Sequence, residues 1–275
     1  MVVARFFRSS PLSGICAVLL LLLASVAAMA ERLAPHNPLT TNYALTRNPP
    51  LGQRVLGTDH LGRDVLSRII FGARVTLLVA ISSVLLGDTV GFLWGVASGY
   101  LGGRVDLISQ RMLDVLMSLP ALILALLLMA GLGAGLTTVV IAIAVTRVPL
   151  STRVVRAMVL SVKELAYVEA AGALGASGAR VMTRHVAPQC IAPFLIITTG
   201  HLGAAIFIEA ALSFVGVGVP PPTPSWGNML GGVLAEAFKP PWWMVVFPGA
   251  AITVTILAVN LFGDALRDFL DPKLK

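Results

Sequence analysis

Three ionisable side chains stand where a charge is least welcome. Asp88, Arg147 and Glu209 each fall within an apolar run long enough to be a helix in lipid. An intramembrane charge is costly unless it lines a polar path or finds a partner. Both readings apply: walls of a conduit, or groups paired with one another or with a neighbouring subunit. A second constellation could carry covalent chemistry. Gly175-Ala176-Ser177-Gly178 has the Gly-x-Ser-Gly form of an intramembrane nucleophile, and His201 lies on the following apolar segment. A serine nucleophile needs a base within hydrogen-bond reach and a sheltered oxyanion site. Ser177 sits instead in a polar turn beside Arg180, and a pattern of small residues arises easily by chance in a chain rich in Gly and Ala.

Other chemistries find no support. His36, His60, His185 and His201 are scattered, and Cys16 and Cys190 have no Cys or His at ligand spacing, so neither a metal site nor a disulfide framework is expected. A nucleotide-hydrolysing loop needs Gly-x-x-x-x-Gly-Lys-Ser/Thr, and none of Lys163, Lys239, Lys273 and Lys275 follows a glycine. No cofactor is indicated. Any ATP used must be hydrolysed by another polypeptide.

The elements that position these residues are membrane helices. The chain is 57% apolar and 12% charged, against about half and a quarter in soluble domains. A net charge of +7 would suit nucleic acid only if clustered on one face. Here long apolar runs separate the basic residues, which fits helix ends fixed on the cytosolic side of a membrane. Crossing the hydrocarbon core takes roughly 20 apolar residues. Leu12 to Ala30, Val75 to Ala97, Leu119 to Val145, Ile191 to Val215 and Met244 to Gly263 meet that need.

Parity then decides the topology. Arg5 and Arg8 place the N-terminus inside, and Arg153, Arg156, Lys163, Arg180 and Arg184 place the segment from 153 to 185 inside as well. An even number of crossings must separate them. A hairpin at Gly131, Gly133 and Gly135 provides it, with one span reaching back through about Arg111 and the next running on to about Met158. Six spans result, with both termini cytosolic; Arg267, Lys273 and Lys275 agree. Against this stand Arg32, Arg47, Arg54, Arg63, Arg68 and Arg74, on a stretch placed outside. The N-terminus also imitates a secretory signal ending at Ala28-Met29-Ala30. Its apolar run exceeds the usual core of roughly 7–15 residues, so an uncleaved first span is expected.

Lys163 to Pro188 is the most informative segment. Between Ala166 and Ala179, ten of fourteen residues are Ala, Gly or Ser, so a helix there can seat its backbone deeply in a groove. Gly175 can end it in the left-handed conformation, and Ser177 can cap the next. Two short helices joined by a tight turn make a plug for a partner's cleft. A small-residue packing face inside the bilayer is opposed by Lys163, Glu164, Glu169, Arg180 and Arg184. The run Pro220-Pro221-Pro222-Thr223-Pro224 should be stiff and extended, with Trp226, Trp242 and Trp243 in an interfacial belt.

Glu169-Ala170-Ala171, then Gly175, Ser177, Arg180, His185 and Pro188, resemble the EAA loop of binding-protein-dependent ABC importer permeases. Three further segments resemble the second permease of the dipeptide, oligopeptide and nickel importer group. They are Leu56 to Asp64 continuing to Arg74, Leu212 to Gly227, and Gly263 to Pro272. The similarity runs from about residue 54 to the C-terminus, with Val215 and Val217 where leucine is usual and Gly178 where a polar residue is common.

The resemblance implies an all-α membrane protein of the type I ABC importer permease fold. Residues 1–30 would hold the N-terminus and first span, and 31–74 an external loop. Residues 75–275 would form a core of five spans with a cytosolic coupling loop at about 159–190. It implies a second homologous permease, two ATPase domains, an extracytoplasmic solute-binding protein and lipid as partners, in a bacterial inner membrane. Cargo would be di- or oligopeptides, with nickel or a chelated metal as the alternative. A protease of the rhomboid kind is the distant rival.

Overall fold

The computed structural model describes residues 11–52, 54–236 and 239–270. Arg5, Arg8, Asp271, Pro272, Lys273 and Lys275 lie outside the described residues. Among the described residues every regular element is helical, and the β-type pairing consists of isolated bridges at Leu51–Arg54 and Thr58–Asp64. A short apolar helix, α1 (Pro11–Ala28), is followed by one turn, α2 (Ala30–Leu33). An irregular stretch then leads to α3 (Val65–Leu101). Asp64 caps α3 by accepting the Ser67 N–H at 2.9 Å, which satisfies one of the free donors at a helix start.

Where the sequence reading expected one span reaching back to Arg111, the structure has two helices bent 86° apart. These are α4 (Gly103–Met117) and α5 (Ala121–Leu132). Pro120 stands at the break; it cannot donate an N–H and bars its predecessor from helical geometry. The twelve residues of α5 rise about 18 Å, short of the roughly 30 Å of a hydrocarbon core. The break expected at the glycines is present, since α5 stops at Gly133, φ +85°, and α6 (Leu136–Lys163) follows Gly135.

Two very short helices, α7 (Ala166–Ala173) and α8 (Gly178–Val181), come next. After one π-helical turn at Met182–Val186, α9 (Ala187–Phe214) continues, so that Gly178–Phe214 is effectively one long helix. Then come α10 (Trp226–Glu236) and α11 (Trp242–Leu270). Among the described residues four helices are long and apolar enough to cross a membrane, or five if the bent α4–α5 pair is one span.

Packing is set by small residues at four-residue spacing. On α3, a Cβ added to Gly87, Gly91, Gly95 or Gly99 would meet the carbonyl oxygens of Ala144, Val148, Thr152 and Arg156 on α6, at 2.4, 2.9, 2.7 and 3.1 Å. Only glycine lets two backbones approach so closely. Both series ascend together, so α3 and α6 run parallel, and the chain between them must return from one end of the pair to the other. The opposite holds for α9 and α11. Gly203 faces Asn260 and Gly263 faces Thr199, an antiparallel pair.

A third contact brings α10 onto α9, with Gly227 against Ala210 and Gly231 against Phe214. That register is parallel, so residues 215–225 must double back along α9 before α10 begins. The sequence reading gave this region to an extended loop and placed Trp226 in an interfacial belt. Trp226 is instead buried at 1% exposure, against Gly72, with its indole N–H donated to the Ile69 carbonyl at 3.0 Å. Trp243 is also buried and donates to Thr58 O at 3.2 Å, whereas Trp242 is exposed. A buried indole must find an acceptor, and both do so in the segment before or at the start of α3.

The arginines between 54 and 74 are matched by carboxylates. Asp59 accepts Arg63 Nε at 2.6 Å and lies 3.5 Å from Arg68 Nε. Arg54 approaches Asp64 at 3.5 Å, and Arg74 meets Glu31 at 2.9 Å. Each of these four arginines thus has a carboxylate within ion-pair distance.

Candidate functional site

The exposed hairpin formed by α7 and α8 is built from local rules. Gly175 has φ +85°. Its N–H bonds to Gly172 O at 2.9 Å, and the Ala176 N–H bonds to Ala171 O at 3.1 Å, the paired bonds of a Schellman stop. Ser177 then caps α8, its hydroxyl accepting the Arg180 N–H at 3.4 Å. No atom lies within 4 Å of a Cβ built on Gly175, so the requirement for glycine there is conformational and not steric.

Anchorage comes from a few buried side chains. Val168 of α7 and Val181 of α8 join Val96, Val155, Val159, Val186 and Cys190 in one cluster where α3, α6 and α9 converge. Tyr167 ties the two arms by donating its hydroxyl to His185 O at 3.1 Å. Ala171 and Ala176 pack on the edge of that cluster, His185 is half-buried, and Glu169, Ala170, Gly175, Ser177, Arg180 and Pro188 are exposed, with Leu174 89% exposed. Clefts of about 400 Å³ and 380 Å³ flank the hairpin, one lined by Arg180, Arg184 and His185, the other by Lys163, Glu164 and Glu169.

The three buried charges do not form one site. Asp88, 1% exposed, accepts the Ser151 hydroxyl at 2.5 Å and lies 3.0 Å from Nδ1 of His201 through both its oxygens. Arg147, one turn before Ser151 on α6, is buried and donates to Thr146 Oγ1 at 3.3 Å. Glu209 stands apart from this group. It is fully buried and accepts the hydroxyls of Thr76 at 3.0 Å and Ser213 at 2.8 Å. Ser213 in turn accepts the Val219 N–H at 3.1 Å, so Glu209 holds down the segment that doubles back toward α10.

Sequence reasoning missed His201 as the partner of Asp88, and Thr76 and Ser213 as those of Glu209. A histidine inside an apolar run is itself an intramembrane ionisable group, and that signal was available. Nor are Ser177 and His201 a nucleophile and base. Ser177 caps a helix and His201 is bound to Asp88, while the residues between them in one nearly continuous helix span roughly 35 Å. Among the described residues no group of three or more His, Cys, Asp or Glu could hold a metal ion.

Residues 91–275 match the family described as the binding-protein-dependent transport system inner membrane component. The di/tripeptide transport system permease protein DppC of Pseudomonas aeruginosa is 42% identical over 262 residues, covering 93% of this chain and 86% of that protein. The oligopeptide transport system permease protein OppC of Bacillus subtilis is 37% identical over 270 residues, covering 98% and 88%. Among solved structures, the crystal structure of an amino acid ABC transporter with histidines superposes with a TM-score of 0.55 at 18% identity, over 72% of this chain and 92% of that one.

Proposed function

Because the chain belongs to the family of inner membrane components of binding-protein-dependent transport systems, we propose that it is one of two permease subunits of an ATP-driven importer of di- or oligopeptides. The other partners are a homologous permease, two ATPase domains and an extracytoplasmic solute-binding protein. The observation that carries this reading is the hairpin of α7 and α8. It is small-sided, stopped and restarted by Gly175 and Ser177, and rooted where three long helices meet. ATP binding can shift a permease between states only through contacts that differ between those states, and this hairpin offers such contacts at the base of the helices that must move. Glu169, Ala170, Ala171, Gly175, Ser177, Arg180, His185 and Pro188 are the docking residues in this reading. Peptide cargo is favoured over nickel because the relatives above are peptide permeases.

The topology has six spans, counting α1 and the bent α4–α5 pair as one each. The hairpin and both termini are cytosolic, and residues 31–74 and 216–243 face out. The parallel register of α3 and α6 supports a single crossing between them. Single cysteines at Ala166, Thr46 and Pro222, all exposed, in a background lacking Cys16 and Cys190, test it with an impermeant thiol reagent. In intact spheroplasts positions 46 and 222 are labelled and 166 is not; the reverse pattern overturns the topology. Reconstitution tests the function: uptake of labelled peptide should require this chain, the second permease, the ATPase subunits and the binding protein together.

A further inference from the structure

The centre around Asp88 lies on a mechanical seam. On one side, α3 and α6 are locked by their glycine contacts, with Gly87 one residue from Asp88 and pressed on the Ala144 carbonyl. On the other, α9 is the direct continuation of the docking hairpin. At mid-helix the tie across the seam is polar: His201 of α9 on Asp88 of α3, with Ser151 of α6 donating to the same carboxylate. Any swing of α9 against the α3–α6 pair must break the His201 bond. That would strand a carboxylate in a buried site, which is strongly disfavoured.

A second partner is already in place. Arg147 lies one turn from Ser151 on the same face of α6, is buried, and has its Cβ 2.9 Å from where a Cβ on Gly87, the neighbour of Asp88, would stand. We propose that Asp88 is a two-partner latch, held by His201 in the conformation seen here and passed to Arg147 when α9 swings. Asp88, Arg147 and His201 are then positioning residues that set how tightly hydrolysis is coupled to peptide movement, and they are not contacts for cargo. The titratable and charged groups beside Asp88 are His201 of α9 and Arg147 of α6, one from each neighbouring helix. A ligand or nucleotide can bias such an element only because it has two discrete arrangements. This inference rests on the importer reading.

The test uses the full complex in liposomes, reading ATP hydrolysis with and without loaded binding protein, and peptide taken up per ATP. Asp88→Asn keeps the shape of the carboxylate but removes its charge, weakening its hold on both His201 and Arg147, and His201→Gln leaves the Ser151 bond intact. Each should raise unstimulated hydrolysis about fivefold and lower uptake per ATP about tenfold, within the usual range of coupling strengths. Arg147→Met should act in the opposite sense, cutting stimulated hydrolysis about tenfold, because a released carboxylate would then find no partner. The reciprocal swap Asp88→His with His201→Asp should recover a substantial part of the uptake per ATP. Uptake per ATP that stays at the wild-type ratio in Asp88→Asn and His201→Gln, with only thermal stability reduced, overturns the latch. So does Arg147→Met behaving like Asp88→Asn. A wild-type complex that ignores loaded binding protein overturns the importer reading itself, and the latch with it.

Discussion

Gly175 concentrates in one residue the conformational demand of the α7–α8 hairpin. Its φ of +85° lies where a side chain costs roughly 1–2 kcal/mol, and more for a β-branched residue. Gly175→Val should insert normally yet hold ATPase subunits about tenfold less tightly, since about 1.4 kcal/mol is a factor of ten; co-purification from washed membranes measures this. Gly175→Asn should retain most binding, because asparagine tolerates the left-handed region and open space surrounds the position. Ser177→Ala loses one long cap bond of 3.4 Å and should leave uptake largely intact. Glu169→Lys, on an exposed position, should abolish uptake while membrane levels stay normal; loss of the chain from the membrane would show that the residue serves folding. These sites were legible in the sequence because stops and caps are local signals. His201 as the partner of Asp88 and Thr76 as a partner of Glu209 were not, because they lie 113 and 133 residues away and only the packing of helices reveals them.

At the scale of elements, the parallel α3–α6 pair is the rigid unit against which the rest is arranged. A Cβ at Gly91 would sit 2.6 Å from Ser151 Cβ and 2.9 Å from Val148 O, leaving backbone with nowhere to move. Gly91→Val should cost at least the 1–3 kcal/mol typical of overpacking, about that much or more, and should appear as a lower melting temperature in detergent and faster proteolysis. Gly131→Ala in α5 is the control. Nothing lies within 4 Å of its Cβ, and alanine favours the helix by up to about 1 kcal/mol. Hydropathy located the apolar runs because lipid imposes a minimum length on them. It could not reveal the 86° turn between α4 and α5 or the existence of α10, since both depend on how neighbours pack. The glycine spacing on α3 was readable as a small-residue face but could not by itself name α6 as its partner.

Taken whole, the molecule separates three tasks along its length. The segment ahead of α3 pairs Arg54 and Arg63 with its own aspartates, the long helices hold the buried polar ties, and the hairpin of α7 and α8 stands exposed. None of these regions offers a phosphate-binding loop, so the purified chain should hydrolyse no ATP. Turnover should appear only with ATPase subunits bound, and activity of this chain alone, surviving removal of contaminants, would contradict the family's division of labour. The fold class and the hairpin could be read from sequence because composition and local turn chemistry dictate them. The way residues 215–225 double back to bury Trp226 could not, because the apolar and aromatic residues there suit an interface as well as a core.

The buried tie at Asp88 also sets an order of events while the chain is being made. Its hydroxyl donor, Ser151, is synthesised 63 residues later and His201 113 residues later. A ribosome adding about 5–20 residues per second therefore leaves α3 in the membrane on the order of ten seconds with a carboxylate lacking both. An aspartate at the middle of a lone helix disfavours insertion by about 2.5–3.5 kcal/mol. During that interval α3 must be sheltered by the insertion machinery, or by α1, until its later partners arrive. Chains truncated between residues 101 and 151 should accordingly remain cross-linkable to the translocon, whereas chains extended past His201 should be released.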